Sequence, residues 1–418
     1  MVSKLVIEGM RKLGGEVSVH GAKNSVLPIL AATILVDGKS VIHNCPDLSD
    51  VDASMKILRH LGCEVTRDGH SLTVDTTGLT RYDIPDDLMR EMRSSIVFLG
   101  AIVARFGKAR MSLPGGCELG PRPIDLHLKA LRQLGVEIEE HHGYLNCTVP
   151  RRLEGANVAF SFPSVGATEN LMLAASLSQG ITTITNPARE PEIIDLANFL
   201  NTCGAHVFGA GDGNIVVEGV KALHSVEHAV IPDRIAATTF MAAAAITGGD
   251  ILLSHIDAGH LSGIIPMFEE SGCNISVDGD RMHLIAPPRL SPIKVVRTMP
   301  YPGFPTDAQA PLMAMTTTAQ GTSVFVENIF ESRYKHACEL SRLGANIKVE
   351  GRVAVVEGVE RLWGACVQSP DLRGAAALVI AGLAAEGITE VTGLRHLDRG
   401  YERIEAALTG LGAAIKRI

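Results

Sequence analysis

The stretch that decides the fold is Leu61-Gly62-Cys63-Glu64-Val65, because related stretches recur at five other places in the 418-residue chain. The central glycines of the six stretches are Gly62, Gly135, Gly204, Gly272, Gly344 and Gly412. Successive glycines lie 73, 69, 68, 72 and 68 residues apart. Spacing this regular indicates six copies of one structural unit.

Every copy carries the same order of local signals. The glycine of the quoted stretch is typical of a helix C-cap, which lets the chain leave a helix and enter a strand. A turn such as Asp68-Gly69 between two β-rich runs then predicts a hairpin. An additional segment such as residues 236–246 is apolar on nearly every side and therefore predicts a buried helix. Each unit is thus helix, strand, helix, strand, strand, and six units predict sheets wrapped around buried helices.

The sixth unit lacks its final strand, and the missing piece lies at the other end of the chain. Val6-Ile7-Glu8-Gly9 matches Val216-Val217-Glu218-Gly219, and a leucine follows four residues later in both. We therefore expect the N-terminal strand to complete the sixth unit. This predicts one domain of residues 23–231 with units one to three, and a second of residues 1–22 and 232–418 with units four to six. A cleft between the domains is the expected ligand site.

Composition argues against several classes of protein. The chain has 38 basic and 46 acidic residues, a net charge of −8 and no run of Lys and Arg, so a nucleic-acid footprint is not expected. The apolar stretches 26–36 and 94–104 are shorter than the roughly 20 residues that span a bilayer. We expect no membrane association and no signal peptide.

The eight cysteines include no C-x-x-C pair and no short-spaced set with histidine. This pattern argues against a zinc site and against a disulfide framework. It favours a location in the reducing cytoplasm. No metal is expected.

The most unusual segment is residues 114–123, which contain three glycines and three prolines and so are neither helix nor central strand. Cys117 lies in this loop near Arg122, and a neighbouring cation lowers the pKa of a thiol and makes it more reactive. The alternative is that Cys117 is an incidental small apolar residue. Both interpretations stay open on the residues alone.

Basic residues stand at the starts of several buried helices: Lys23, Arg93, Arg234 and Arg373. A cation there opposes the helix macrodipole, so an anion close to these starts is the better explanation. Asp307 follows Phe304-Pro305-Thr306 at another helix start, where it either caps the helix or acts on a substrate hydroxyl. The basic loop at residues 395–399 is either solvated surface or part of the same site. These residues predict an enzyme for an anionic, phosphorylated substrate.

Five motifs carry a resemblance to a known family: Gly21-Ala22-Lys23-Asn24, the 114–122 loop with Asp125-Leu126-His127, Ala188-Arg189-Glu190-Pro191-Glu192, Phe304-Pro305-Thr306-Asp307, and Asp398-Arg399-Gly400-Tyr401-Glu402-Arg403. Through them, and over its full length, the chain resembles the enolpyruvyl transferase family in its UDP-N-acetylglucosamine branch. The resemblance implies an α/β fold of two inside-out α/β barrel (prism-like) domains, each of three repeated units.

The same resemblance implies a reaction. The enolpyruvyl group of phosphoenolpyruvate is transferred to the 3′-hydroxyl of UDP-N-acetylglucosamine, through a tetrahedral ketal that expels phosphate. This is the first committed step of peptidoglycan precursor synthesis. The implied partners are these two small molecules, with neither nucleic acid nor membrane, and no cofactor is implied.

Site residues follow from the resemblance position by position. Asp307 would be the base at the hydroxyl, and Cys117 would protonate the methylene carbon, form a covalent adduct and react with epoxides of the fosfomycin type. Lys23, Arg122 and Arg399 would hold phosphoenolpyruvate. Residues implied at the UDP-sugar are Asn24, Arg93, Pro121, Arg122, Pro123, Ile124, Asp125, Ser164, Val165 and Gly166. Residues implied close to the same cleft are Ile329, Glu331, Asp371 and Arg373.

Two departures from the family pattern indicate a divergent paralogue. Phe162-Pro163 stands where many relatives have a Lys-Val pair that binds the diphosphate, and Ile235-Ala236-Ala237-Thr238 replaces a stretch that often has Glu and Gly. The alternatives are a 3-phosphoshikimate enolpyruvyl transferase of the shikimate pathway, which lacks the Cys117 loop, a non-catalytic regulatory paralogue, and a phosphate cyclase built on related units.

Overall fold

The computed structural model describes residues 3–113 and 124–418. The site residues Cys117, Pro121, Arg122 and Pro123 lie outside these ranges. The described residues form two compact units, and the chain passes between them after His20 and after Ile231. We call residues 21–231 the middle unit and residues 3–20 with 232–418 the split unit. Each has its own hydrophobic core.

In the described part of the middle unit, each repeat contributes a four-stranded sheet. In spatial order the strands are Glu227–Ala229, Lys39–His43, Ser71–Asp75 and Glu64–Asp68 in the first; Asp83–Ile84, Lys108–Ser112, Tyr144–Thr148 and Glu137–His141 in the second; Asn157–Ala159, Ile181–Thr185, Asn214–Glu218 and His206–Phe208 in the third. A parallel pair, Val36–Asp37 with Leu223–His224, joins the two ends of this unit.

The described part of the split unit repeats this arrangement. Its sheets are Asn274–Asp278, Arg281–Ile285, Asp250–Ser254 and Gly14–Ser18; Val295–Arg297, Thr322–Val326, Val353–Glu357 and Asn346–Glu350; Cys366–Gln368, Ile388–Thr392, Leu5–Glu8 and Ala414–Arg417. Leu362–Trp363 pairs in parallel with Ala385–Glu386. Leu5 faces Val391 on one side and Arg417 on the other, so the N-terminal strand completes the last sheet, as the repeat comparison predicted.

Each sheet has one strand more than the repeat predicted. The extra strand pairs in parallel with the first strand of the unit, as Glu227–Ala229 does with Lys39–His43 and Gly14–Ser18 does with Asp250–Ser254. Most of these strands have two or three residues and little apolar alternation, so local sequence gives them almost no signal. Tertiary pairing creates them.

Three helices in each unit are buried on almost every side: Lys23–Ala32, Phe98–Phe106 and Val165–Ser176 in the middle unit, and Arg234–Ile246, Thr306–Thr316 and Leu372–Ala384 in the split unit. In the split unit the three pack against one another. Strands such as Ser71–Asp75 alternate partly exposed and buried residues and turn the apolar Leu72 and Val74 inward. Buried helices inside sheets confirm the inside-out α/β class.

A second set of helices buries only one face: Ser49–Leu61, Asp125–Gln133, Pro191–Thr202, Ile265–Glu270, Lys335–Arg342 and Ile404–Gly410. Shorter helical pieces are Asp86–Glu91 and the 3₁₀ segments Thr33–Leu35, Arg93–Val97, Ala258–Leu261 and Leu397–Arg399. The six repeated glycines end the one-faced helices with φ between +92° and +107°, the left-handed conformation that a C-cap requires. Within residues 3–113 and 124–418, no helix combines the length and apolar character needed to cross a membrane.

Candidate functional site

Asp307 is held between two arginines at the start of the buried helix Thr306–Thr316. Arg333 Nη2 lies 2.9 Å from Asp307 Oδ1, and Arg373 Nη2 lies 2.9 Å from Oδ2. Both arginine side chains are only 2% exposed, whereas the Asp307 side chain is 27% exposed. The carboxylate is therefore fixed by buried cations while part of it stays accessible.

The helix start itself is held by side chains rather than by an ordinary cap. The N-cap position is Pro305, and no side chain caps the helix there. Thr306 Oγ1 instead donates to Glu327 Oε2 at 3.0 Å, and Arg333 Nη2 donates to Thr306 O at 3.1 Å. Glu327 Oε1 accepts from the amides of Ile329 and Phe330 at 2.8 and 3.0 Å. The loop after strand Thr322–Val326 thus fixes Asp307.

Arg373 belongs to the neighbouring buried helix Leu372–Ala384. Asp371 caps this helix, with Oδ1 accepting from the amides of Arg373 and Gly374 at 3.0 Å each. Burial by itself would lower the pKa of the Arg373 guanidinium, but Asp307, Tyr401 and Asp233 outweigh burial and raise the pKa. Arg373 consequently stays charged although it is buried.

The third buried helix of the split unit begins at Arg234 and is capped by Asp233, whose Oδ1 accepts from the amides of Ile235 and Ala236 at 2.8 and 2.9 Å. The Arg234 guanidinium lies 5.7 Å from the centre of the Tyr301 ring. Arg399 ends the 3₁₀ segment Leu397–Arg399, which packs on the helix that carries Arg373.

In the middle unit, Lys23 opens a buried helix and forms an ion pair with Asp50. The Lys23 Nζ to Asp50 Oδ2 distance is 3.0 Å, and the two side chains are 11% and 1% exposed. The close approach of Gly21 to Asn44 O leaves no room for a Cβ, which explains the glycine in this motif. A protein carboxylate therefore already provides an anion at this cation, as Asp307 does at Arg373.

Asp195 ties the same helix start to the end of the middle unit. Its carboxylate accepts a short hydrogen bond from Ser25 Oγ and lies 2.9 Å from His228 Nε2. Asn24, which is half-buried, lies between Ser25 and Lys23 in the chain. The position of the Lys23-Asn24 pair thus depends on a buried polar cluster.

The structure brings two of the predicted nucleotide-sugar segments together. Ser164 Oγ accepts from the amide of Ala167 at 3.4 Å and caps the helix Val165–Ser176. A Cβ on Gly166 would lie 2.9 Å from His127 Cε1, so only glycine fits against that ring. His127 belongs to the helix Asp125–Gln133, whose start directly follows Ile124.

Asn170 fixes this arrangement from the helix that Ser164 caps. Its Nδ2 lies 2.8 Å from His127 Nδ1 and donates to Ile96 O at 2.9 Å, and its Oδ1 accepts from the Gly100 amide at 2.6 Å. The bond to Ile96 O holds the 3₁₀ segment Arg93–Val97. Four segments of the middle unit are thus linked through the buried side-chain amide of Asn170.

Glu169 lies beside Asn170 and is only 7% exposed. Burial raises the pKa of its carboxyl from 4.5 to about 8, with smaller contributions from Glu192 and Glu190. Both neighbours belong to the Ala188–Glu192 motif at the start of helix Pro191–Thr202. Glu169 is therefore largely protonated at neutral pH.

Sequence reasoning did not select Arg333, Asp50 or Glu169. Arg333 lies in Glu331-Ser332-Arg333, which looks like an ordinary polar loop. Glu169 did carry a signal, because it is a carboxylate close to the wholly apolar run of residues 171–175. Among the residues that the structure describes, no group of three or more His, Cys, Asp or Glu is arranged to hold a metal ion.

Comparison with known proteins covers the whole chain. A family model described as EPSP synthase (3-phosphoshikimate 1-carboxyvinyltransferase) matches residues 7–408. UDP-N-acetylglucosamine 1-carboxyvinyltransferase 2 of Caldanaerobacter subterraneus is 53% identical over 417 residues, covering 100% of both chains. UDP-N-acetylglucosamine 1-carboxyvinyltransferase 1 of Symbiobacterium thermophilum is 51% identical over 420 residues, covering 99% of this chain and 95% of its own.

Solved structures agree with these matches. The enolpyruvyl transferase NikO from Streptomyces tendae superimposes with a TM-score of 0.90 at 27% identity, covering 100% of this chain and 99% of its own. An EPSP synthase from Acinetobacter baumannii gives a TM-score of 0.75 at 18% identity, covering 100% of both chains, and this likeness concerns the fold alone.

Proposed function

The chain belongs to the EPSP synthase (3-phosphoshikimate 1-carboxyvinyltransferase) family. Within this family, we propose that it transfers the enolpyruvyl group of phosphoenolpyruvate to the 3′-hydroxyl of UDP-N-acetylglucosamine. The observation that carries the proposal is the 53% identity over full length to a relative named for that sugar nucleotide. A relative of Myxococcus xanthus, 48% identical over 419 residues, has the same name. Phosphate is the second product.

The split unit supplies the base in this proposal. The 3′-oxygen bonds to C2 of phosphoenolpyruvate, its proton passes to Asp307, and a proton from Cys117 adds to the methylene carbon to give a ketal. Loss of a proton from the new methyl group and cleavage of the C2–O bond to phosphate then restore the double bond. Asp307 suits the first step because it is partly exposed and is held by two buried guanidiniums. Arg373 is its partner in the proposed site.

The middle unit supplies most of the proposed nucleotide-sugar contacts. The amides at the start of helix Val165–Ser176 suit a diphosphate, because a helix N-terminus attracts anions. Ser164, Val165 and Gly166 lie at this start, with Ile124 and Asp125 on the adjoining segment. Phe162, which is 41% exposed, supplies no charge there.

Other assignments complete the proposal. Lys23 and Arg399 would bind phosphoenolpyruvate together with Arg122, and Asn24, Arg93 and Ile329 would contact the sugar nucleotide together with Pro121 and Pro123. Residues 23–231 and residues 1–22 with 232–418 would be the two enolpyruvyl transferase domains. The proposed role is the first committed step of peptidoglycan precursor synthesis, in the cytoplasm.

The direct test is release of inorganic phosphate from phosphoenolpyruvate. We expect release with UDP-N-acetylglucosamine as acceptor and none above background with shikimate 3-phosphate, which the name of the family model makes the proper comparison. Mass spectrometry of the product should show the sugar nucleotide with one added enolpyruvyl group. Turnover with shikimate 3-phosphate alone, or with neither acceptor, would reject the proposal.

A further inference from the structure

Arg333 binds both the backbone and the side chain at the start of the Asp307 helix. One nitrogen, Nη2, donates both to Thr306 O at 3.1 Å and to Asp307 Oδ1 at 2.9 Å. The guanidinium also lies 5.7 Å from the centre of the Phe330 ring. Only 2% of the Arg333 side chain is exposed, so its charge is buried beside Asp307.

These contacts leave Asp307 capable of accepting a proton. A carboxylate oxygen has two lone pairs, so Oδ1 and Oδ2 can each bind one guanidinium and still accept from a substrate hydroxyl. Because the arginines approach the two oxygens from different elements, the carboxylate cannot rotate without losing a buried charge pair. The exposed 27% of the side chain is the part that a substrate can reach.

We propose that Arg333 is the positioning residue for Asp307: it holds the carboxylate ionised and in the orientation that accepts the proton of the acceptor hydroxyl. This proposal rests on the function proposed above. Arg333 itself exchanges no proton. As the hydroxyl oxygen bonds to C2 of phosphoenolpyruvate, its O–H bond breaks, the proton moves to Asp307, and Arg333 stays charged.

The charged groups around the pair determine what removal of Arg333 would do. Charged and titratable groups around the pair include the cation Arg373, the anions Asp371, Asp233 and Glu327, and the residues Tyr334, Tyr401 and His336. Without Arg333, Asp307 would keep its pair with Arg373 but lose one buried positive charge. Protonation of Asp307 would then become easier, since a nearby positive charge favours the ionised form.

The test compares Arg333→Gln and Arg333→Met with Arg333→Lys, and with Arg342→Gln as the matched control. Arg342 lies on the next helix and its side chain is 59% exposed. We expect the neutral variants to lose about 100-fold in kcat, with the KM of both substrates changed less than about threefold. In a plot of kcat against pH, the acid limb, where kcat falls at low pH, should shift to a higher pH by about one pH unit. Arg333→Lys should move the acid limb back towards its wild-type pH and restore part of the lost kcat. Arg342→Gln should have the kcat and the pH profile of the wild-type enzyme.

Three outcomes would overturn the proposal. In the first, Arg333→Gln or Arg333→Met folds and has the same kcat and the same acid limb as the wild-type enzyme. Another is a raised KM for phosphoenolpyruvate at unchanged kcat, which would make Arg333 a binding residue. If both neutral variants unfold, Arg333→Lys decides: its shorter, differently shaped side chain cannot reproduce both contacts, so kcat equal to wild type would reject the role. Failure of the proposed function is seen separately, as absence of phosphate release by the wild-type enzyme.

Discussion

The middle and split units share one architecture but bury ionisable groups of opposite kinds. In the middle unit the buried group with the most altered acidity is an acid, Glu169, beside two other glutamates. In the split unit a buried base, His336, lies beside Arg333 and Asp371, and burial lowers its pKa. The helix starts differ as well, because a lysine, Lys23, pairs with a carboxylate in the middle unit, whereas a carboxylate, Asp307, pairs with arginines in the split unit. The two units therefore share a backbone architecture, and the side chains at equivalent places give each unit a different chemical character.

The largest effect is expected from Asp307→Asn, which removes the base from the split unit and leaves the middle unit unchanged. We expect kcat for phosphate release to fall by about 10³-fold, because general-base catalysis contributes about 10² to 10⁴. The Kd for UDP-N-acetylglucosamine, measured by calorimetry, should change less than about threefold. Asp278→Asn, in an exposed hairpin strand, is the control. Near-normal turnover would show that Asp307 is not the base, and the proposed difference in role between the two units would then be rejected.

A smaller effect is expected from Glu169→Gln in the middle unit. Folding raises the pKa of this carboxyl from 4.5 to about 8, so the folded protein keeps a proton that the unfolded chain releases. The free energy of unfolding therefore falls as pH rises from about 4.5 towards about 8. The glutamine variant lacks this loss, and its Tm relative to wild type should rise by at least about 3 °C between pH 5 and pH 8.

Hydrogen–deuterium exchange would locate the Glu169 effect. Extra protection at pH 8 should appear in peptides of the middle unit and be absent from those of the split unit. Glu137→Gln, in an exposed strand position, should change neither quantity. Equal pH dependence in wild type and Glu169→Gln would show that this carboxyl does not hold a proton in the folded protein.

The smallest effect is expected from His336→Leu in the split unit, and it has the opposite direction. The pKa of His336 is lowered from 6.5 to about 4, mainly by burial; Asp371 opposes the shift and Arg333 adds to it. The unfolded chain binds a proton that the folded protein rejects, so wild type loses stability as pH falls from about 6.5 to about 4.

The leucine variant should show a shallower decline of Tm between pH 7 and pH 5. Deuterium exchange in split-unit peptides should show the same difference, with His283→Leu on an exposed strand position as the control. A decline as steep as that of wild type would mean that His336 is not the acid-sensitive group of this unit.

Much of the fold was predictable because the repeated residues have strong preferences for particular backbone conformations or for burial. The glycines equivalent to Gly62 require positive φ, and helices such as Arg234–Ile246 are too apolar to lie at a surface. Strands such as Glu227–Ala229 were missed because three largely polar residues have no periodicity to detect. They exist through pairing with a distant strand.

The candidate site was predictable where a residue contradicts its local setting. Lys23 and Arg373 drew attention because cations oppose a helix start. Asp50 and Arg333, which partner Lys23 and Asp307, did not, because each is common in its local context: an acid in the first turn of a helix and a base in a polar loop. Such partners become visible only when distant segments are brought together.

The placement of Leu5–Glu8 between Ile388–Thr392 and Ala414–Arg417 has a consequence for synthesis on the ribosome. The middle unit has all its strands once residue 229 has emerged, so it can fold while translation continues. The strand Leu5–Glu8 must wait without its partners until Ile388–Thr392 and Ala414–Arg417 have been made. Leu5–Glu8 is therefore synthesised before the middle unit but is expected to reach its folded position after it.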